Sequence, residues 1–440
     1  MRSDLLLSFY GDDLTGSTDV MEALASRGIA TVLFTAPPGP DGLARFPEAR
    51  AVGIAGTSRS ETPAWMDEHL TPAFARMRAF GAPVNHYKVC STFDSSPTIG
   101  SIGRAADIGA AVFGQRTTPV VVGAPQLKRY TAFGNLFAAY RGDVYRIDRH
   151  PVMRRHPVTP MREADLRLHL AAQTDGPVAL VDLAALAGPN PSAAVDRAST
   201  EPGLLMIDVA DRATQAEAGR QLWRLVASGC RFMVGSSGVE YALLAEWVRL
   251  GLIAGSASFV APGAVKRIAV VSGSCSPTTE AQIRTALADG FEGLALEPRA
   301  LIGPDRESVL SKAFAEGEAI LARGRSVLAY TALGPDTDLG EALEGQRHAI
   351  GRALGQLLSR LVQAGGLRRA VVAGGDTSSH ALQELGIFAL TTRHPVPASP
   401  GSPLCTAHSE LSAFDGLEIT FKGGQIGDDA YFAKIRDGLV

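Results

Sequence analysis

The sequence predicts an α/β protein of two domains, each a mostly parallel sheet flanked by helices, with the active site in the cleft between them. Three observations carry this. Short apolar runs alternate with helical patterns along nearly the whole chain, the signature of strands covered on both faces. Small-residue loops rich in Gly, Ser and Thr follow several of those runs. A soft stretch from Gly251 to Gly263, rich in Gly, Ala and Ser, interrupts the alternation. The domains are therefore expected at residues 1–255 and 264–440.

The first domain opens with Leu5-Leu6-Leu7-Ser8-Phe9, a buried-strand pattern that breaks at Gly11-Asp12-Asp13. A helix follows, with Val20, Met21, Leu24 and Ala25 on one face and Gly28 as its end signal. Residues 29–34, 52–55, 84–89, 120–122, 178–181, 204–209 and 232–235 read as further strands. Val239, Leu243, Leu244 and Val248 line the helix after Ser236-Ser237-Gly238. In the second domain a strand at 267–271 runs into Ser272-Gly-Ser-Cys-Ser. Ser276 and Pro277 have the form of a helix N-cap and first helical residue. Strands at 326–330 and 370–373 bracket a long helix carrying Ile350, Leu354, Leu357, Leu358 and Leu361.

Composition narrows the function. At 440 residues the chain has room for two or three domains of about 100–200 residues each. Its formal net charge is −3, which supplies no bulk field for nucleic acid, although the basic stretch Arg146 to Arg155 could hold a small anion. Four widely spaced cysteines form no CxxC pair and suit a reducing cytoplasm. The apolar run near the N-terminus is too short for a signal peptide, and no stretch reaches the roughly 20 apolar residues of a membrane span. No nucleic-acid or membrane partner is expected.

Three loops could hold phosphate: SGSCSPTTE (272–280), AGGDTSSHAL (373–382) and FKGGQIGDD (421–429). The first two each follow a strand and open a helix, so free backbone N–H groups and the helix dipole face one point. Glycine lets the backbone approach a ligand, and Ser or Thr adds a hydroxyl. Neither GxxxxGK[ST] nor GxGxxG occurs. Lys422 could serve as a phosphate cation, but it does not occupy a Walker position; each loop taken alone could simply close a strand–helix unit.

Asp12 and Asp13 stand where the first strand ends. Adjacent carboxylates repel, and one at a strand's carboxyl end could take the proton of an attacking hydroxyl, as a phosphoryl-transfer base does. The alternative is that Asp13 or Thr15 caps the following helix; the expected outcome is one acid capping and the other facing ligand. The Asp-x-Asp-x-Thr pattern of haloacid dehalogenases is not met, because the acids are adjacent. Lys88, Ser91 and Thr92 could grip a carboxylate or sugar hydroxyls, and Arg59 suits a two-pronged carboxylate contact. His86 and His380 lie beside candidate loops but read as structural.

Seven segments in order resemble the four-carbon acid sugar kinase family. SFYGDDLTGSTD (8–19) is similar to its opening DDxTGxxD motif, KVCSTFDSS (88–96) to its K-x-C/D-S-T segment, and HPVTPMREADLRLHL (156–170) to its Pro-rich stretch before a helix. GSSGVEYAL (235–243) resembles its G-S-x-G segment, and the three loops named above resemble its nucleotide-domain loops. The resemblance spans nearly the whole chain. It implies ATP-dependent phosphorylation, with Mg²⁺, of a sugar acid such as 3-oxo-tetronate, threonate or erythronate. A branched acid such as 3-oxo-isoapionate is also open. It implies substrate around Asp12, Asp13, Thr15, Arg59, Lys88, Ser91 and Thr92, with Asp12 or Asp13 catalytic. It implies nucleotide at Ser272, Ser274, Gly374, Gly375, Asp376, Thr377, Gly424 and Gly427, with Asp376 a second candidate base or metal partner. Metal ligands are not assigned, and a homodimer stays open. Two departures stand out. KVCSTFDSSPTIGSIG (88–103) lacks the K-x-D-S-T-x-R-G form of many members, and Gln425-Ile426 replaces the usual Asn-Phe. The rivals are an NAD-dependent hydroxy-acid oxidoreductase, disfavoured by the missing GxGxxG, and a nucleotide-binding protein without catalysis.

Overall fold

The structure, a computed structural model, describes residues 4–39, 41–156, 158–334 and 346–440. Its strands are β1 (Leu7–Gly11), β2 (Thr31–Phe34), β3 (Ala51–Ala55), β4 (Val84–Lys88), β5 (Thr117–Val121), β6 (Arg129–Ala132), β7 (Asn135–Tyr140), β8 (Asp143–Arg146) and β9 (Val178–Val181). They continue with β10 (Gly203–Ile207), β11 (Phe232–Gly235), β12 (Ala269–Ser272), β13 (Glu292–Ala295), β14 (Val327–Tyr330), β15 (Arg369–Ala373), β16 (Ile387–His394), β17 (Leu404–Ser409) and β18 (Glu418–Lys422). Helices join most of them, as the alternation predicts.

The chain packs as two compact units. The first comprises Met1–Asp12, Ala23–Thr31 and Pro37–Ala257; the second comprises Asp13–Glu22, Val32–Ala36 and Ser258–Val440. Most of the Leu14–Ala25 helix therefore packs with the second unit, although it follows the first strand of the first.

In the first unit the strands run β3-β1-β4-β11-β5-β10-β9, all parallel. The register pairs Gly11 with both Ala55 and Lys88, and Lys88 with Gly235. The loops after β1, β3, β4 and β11 consequently leave from one end of the sheet. Every residue of β1 and β4 is buried, as strands covered on both faces require.

A second, antiparallel sheet, β6-β7-β8, belongs to the same unit and was not foreseen. Its two hairpins turn at Phe133-Gly134 and Arg141-Gly142, all four at positive φ, the condition for the tight turns that match strand twist. Asn-Gly is the usual signal for such a turn; Phe and Arg in the first position hide it. The basic stretch at 146–155 follows. Arg146 is spent on Asp148, with Nε–Oδ1 at 2.8 Å and Nη2–Oδ2 at 2.6 Å.

The second unit runs β13-β14-β12-β15-β18-β17-β16-β2, parallel as far as β18 and antiparallel beyond. Its core gathers Val270, Ile283, Leu328, Val371 and Phe432. Each such side chain contributes roughly 1.5–3 kcal/mol on leaving water. Local signals fix helix starts as expected: Ser276 Oγ accepts the Thr278 N–H at 3.1 Å, with Pro277 the first helical residue. The Thr62-Pro63 start has the same form, Thr62 Oγ1 accepting from Trp65 at 3.3 Å. Such caps contribute about 1 kcal/mol each.

Candidate active site

The acidic pair divides its work. Asp12, 4% exposed, ends β1 in the first unit. Its N–H donates to the Lys88 carbonyl at 2.9 Å, and its carbonyl accepts the Arg59 N–H at 3.1 Å. Two main-chain bonds thus bring together three residues that the sequence assigned to substrate. Burial, and next the Asp12 charge, hold the Tyr87 phenol well above its ordinary range; Tyr87 shares a 2.9 Å hydrogen bond with Ser58.

Asp13 is the cap. Its Oδ1 accepts the Gly16 N–H at 2.5 Å and its Oδ2 the Thr15 hydroxyl at 3.2 Å. The helix begins at Leu14 rather than near Gly16, and the Leu14 N–H donates to Ser379 Oγ at 3.4 Å, within the second unit. Thr15 is part of this cap.

Lys88 is 2% exposed at the end of β4. Beyond it the chain turns tightly, with the Phe93 N–H donating to the Cys90 carbonyl at 2.9 Å and Phe93 at φ +58°. Half-buried Ser91 and buried Thr92 sit in this turn. Arg59 Nη2 reaches both oxygens of Asp94, at 3.1 and 2.9 Å. Asp94 lay inside the quoted 88–96 segment, but its role has no local signal, because its partner is 35 residues away. His86 is structural, as read: Nδ1 meets Glu240 Oε1 at 2.5 Å and Nε2 meets the Gly235 carbonyl at 3.1 Å, all buried.

In the second unit, β12, β15 and β18 are neighbours in register, with Ser272 beside Ala373 and Ala373 beside Lys422. The three small-residue loops therefore emerge side by side from parallel carboxyl ends, the usual ligand position in such sheets. A Cβ on Gly424 would stand 2.9 Å from Ser274 Oγ. Gly374, at φ +116°, would place one 2.9 Å from Thr377 Oγ1 and 3.5 Å from the Ser274 Cβ. Gly375 and Asp376 open the helix Gly375–Leu382, Asp376 being exposed. The Gly374 N–H is tied to the Lys422 carbonyl at 2.7 Å. Ser272, fully buried, accepts the Ser274 N–H at 3.4 Å. Gly427 turns against Tyr431 and Gln282 instead of joining this cluster.

Lys422 is the lysine that the sequence offers as a phosphate cation. Its ammonium is fully buried and donates to Gly423 O at 2.7 Å, Thr279 Oγ1 at 3.2 Å and Gly424 O at 3.4 Å. These three bonds pin the loop. Burial lowers its pKa to about 7.

The comparisons agree with this division. A sugar-binding N-terminal domain model matches residues 7–243, and a nucleotide-binding C-terminal domain model matches 269–432. A 3-oxo-isoapionate kinase of Paraburkholderia graminis is 48% identical, over 99% of this chain and 95% of its own length. The chain belongs to the four-carbon acid sugar kinase family. A more distant member, a 3-oxo-tetronate kinase of Methylobacterium radiotolerans, is 31% identical over 99% of this chain and 100% of its own.

Crystal structures share the family fold. One from Salmonella typhimurium matches with a TM-score of 0.77 at 24% identity, covering 97% of this chain and 98% of its own. One from Haemophilus influenzae matches with a TM-score of 0.70 at 22% identity, covering 98% and 99%. Among the described residues no helix is long and apolar enough to cross a membrane.

Proposed function

We propose that this family member is an ATP-dependent kinase that phosphorylates the terminal hydroxyl of a 3-oxo acid sugar, with 3-oxo-isoapionate or a similar branched acid ahead of 3-oxo-tetronate, threonate and erythronate. The observation that carries the reaction type is the convergence of Ser274, Gly374, Thr377 and Gly424 at the ends of adjacent parallel strands. Backbone N–H groups and hydroxyls there suit the charge of a nucleotide's phosphates. The order of substrates follows the 48% identity to the 3-oxo-isoapionate kinase against 31% to the 3-oxo-tetronate kinase.

Asp12 orients the acceptor hydroxyl and takes its proton. Arg59 and Lys88 hold the carboxylate, and Ser91 and Thr92 line the sugar. Ser272 and Gly375 support the phosphate loops from within. Mg²⁺ enters with the nucleotide, since it is commonly held by substrate phosphates plus one or two carboxylates. Asp376 is an exposed carboxylate in one of those loops. Among the described residues no three His, Cys, Asp or Glu side chains form a metal cluster of their own. Positioning and charge neutralisation supply most of the acceleration in such transfers. We place the reaction in the cytoplasm, within carbohydrate metabolism.

A coupled ADP-release assay tests this, with MgATP and a panel of 3-oxo-tetronates, tetronates and branched 3-oxo acids. ADP release with the branched 3-oxo acid above the linear ones is the expected result. ATP binding without release for any acid would overturn the kinase reading in favour of a nucleotide-binding protein. Stabilisation by NADH and not by ATP would favour the oxidoreductase.

A further inference from the structure

One carboxylate in the first unit, Asp94, joins segments far apart in sequence. The Asp94 side chain has no exposed surface, whereas Arg59, its cation, keeps 27%. Besides both Arg59 contacts, Asp94 Oδ1 accepts the Thr92 hydroxyl at 2.5 Å and Oδ2 the Thr159 hydroxyl at 3.2 Å. Three parts of the chain thus meet on one anion: Arg59, the turn at 90–95 and Thr159.

The Thr159 hydroxyl has a single proton. Given to Asp94, it leaves the Thr159 backbone N–H for His156 Nδ1, which accepts it at 3.1 Å. Burial by itself would raise the Asp94 pKa, but the Arg59 charge, then His156, then the Thr92 hydroxyl outweigh it and hold it at about 2. The pair is asymmetric, the anion sealed in protein and the cation opening outward. Arg59 also hangs by its N–H from Asp12, the proposed base.

We propose that Asp94 and Thr159 are positioning residues for acid-sugar specificity: they hold the Arg59 guanidinium, through its Nη2, at a fixed point for contact with the substrate carboxylate. The inference rests on reading the protein as an acid-sugar kinase. A guanidinium held at a fixed point favours a carboxylate over a lactone or a neutral polyol, because a hydrogen bond between two charged groups is stronger than one to a neutral oxygen.

The test uses the full-length protein and the 3-oxo acid that it phosphorylates best. KM for the acid, KM for ATP and kcat are measured, and binding of the same acid without ATP is read by calorimetry. Loss of a charge-assisted contact is expected to raise the acid KM of Asp94→Asn by about 10–100-fold with ATP KM nearly unchanged. Thr159→Val should raise the acid KM by roughly 3–10-fold, and Thr159→Ser, which restores the hydroxyl, should return it towards wild type. In an Arg59→Gln background, Asp94→Asn should add less than about twofold, because the two act as one unit. Additive effects, an equal rise in ATP KM, or Thr159→Ser behaving like Thr159→Val would each overturn the proposal. If Asp94→Asn does not fold, the two Thr159 variants decide it. If the wild type binds the acid without turning it over, calorimetry still decides this inference while the kinase reading falls; if it does not bind the acid, both fall.

Discussion

The two ends of the proposed reaction are built from opposite materials. The acid-sugar region of the first unit is dense in charge: Asp12, Lys88 and Asp94 are buried and Arg59 is partly exposed. The nucleotide region of the second unit is assembled mainly from glycines, hydroxyls and main chain. Lys422, a buried cation there, bonds to the loop carbonyls and holds the loop. The contrast follows from the ligands. A small acid offers one carboxylate and a few hydroxyls, so selectivity needs fixed charges at defined points. A triphosphate offers many oxygens along a chain, and close approach of backbone N–H groups serves it better than side chains that would fill the space.

The contrast can be broken at several points. The largest effect is expected from Asp12→Asn, which should lower kcat by about 10²–10⁴-fold in the ADP-release assay, the usual contribution of a general base. A loss below about tenfold would remove Asp12 from that role.

Glu22, on the helix that packs with the second unit, comes next. Its two oxygens accept the Val396 and Gly401 N–H groups at 2.6 Å each, and burial raises its pKa to about 7, those amide bonds opposing the shift and Asp19 adding to it. A carboxyl whose folded pKa exceeds its unfolded value stabilises fully below the unfolded value of 4.5, and that stability is lost as pH rises through about 7. The amount is of the order of 3 kcal/mol. Thermal melts of wild type and Glu22→Gln from pH 4 to 8 should differ in slope, with the variant flatter; parallel curves would show that Glu22 does not titrate in this range.

Gly374→Ala should cost roughly 1–3 kcal/mol, because φ +116° is strained for any side chain. It should raise ATP KM and leave acid KM alone, so an equal rise in both would blur the division between the regions. Asp13→Ala should be mildest, losing a cap worth about 1 kcal/mol in a melt. A loss of kcat as large as that of Asp12→Asn would instead make Asp13 part of the chemistry.

Local patterns were enough for much of this. Apolar runs marked β1, β4, β12 and β15, the Ser276-Pro277 and Thr62-Pro63 starts follow side-chain capping, and the glycine loops declare a need for close approach. The seven ordered segments pointed to the family. Each of these signals acts over a few residues, and a sequence displays such distances directly.

Three features could be decided only by tertiary structure. The β1–β4 register places the Lys88 carbonyl on the Asp12 N–H, 76 residues apart by number (88 − 12). Asp94 acquires Arg59 and Thr159 from 35 and 65 residues away. Lys422, which the sequence offers as a phosphate cation, is buried among Thr279 and the Gly423 and Gly424 carbonyls. The physical reason is common to all three. A buried polar group takes whatever partners the packed chain delivers, and that choice depends on which strands pair, not on which residues are neighbours in sequence.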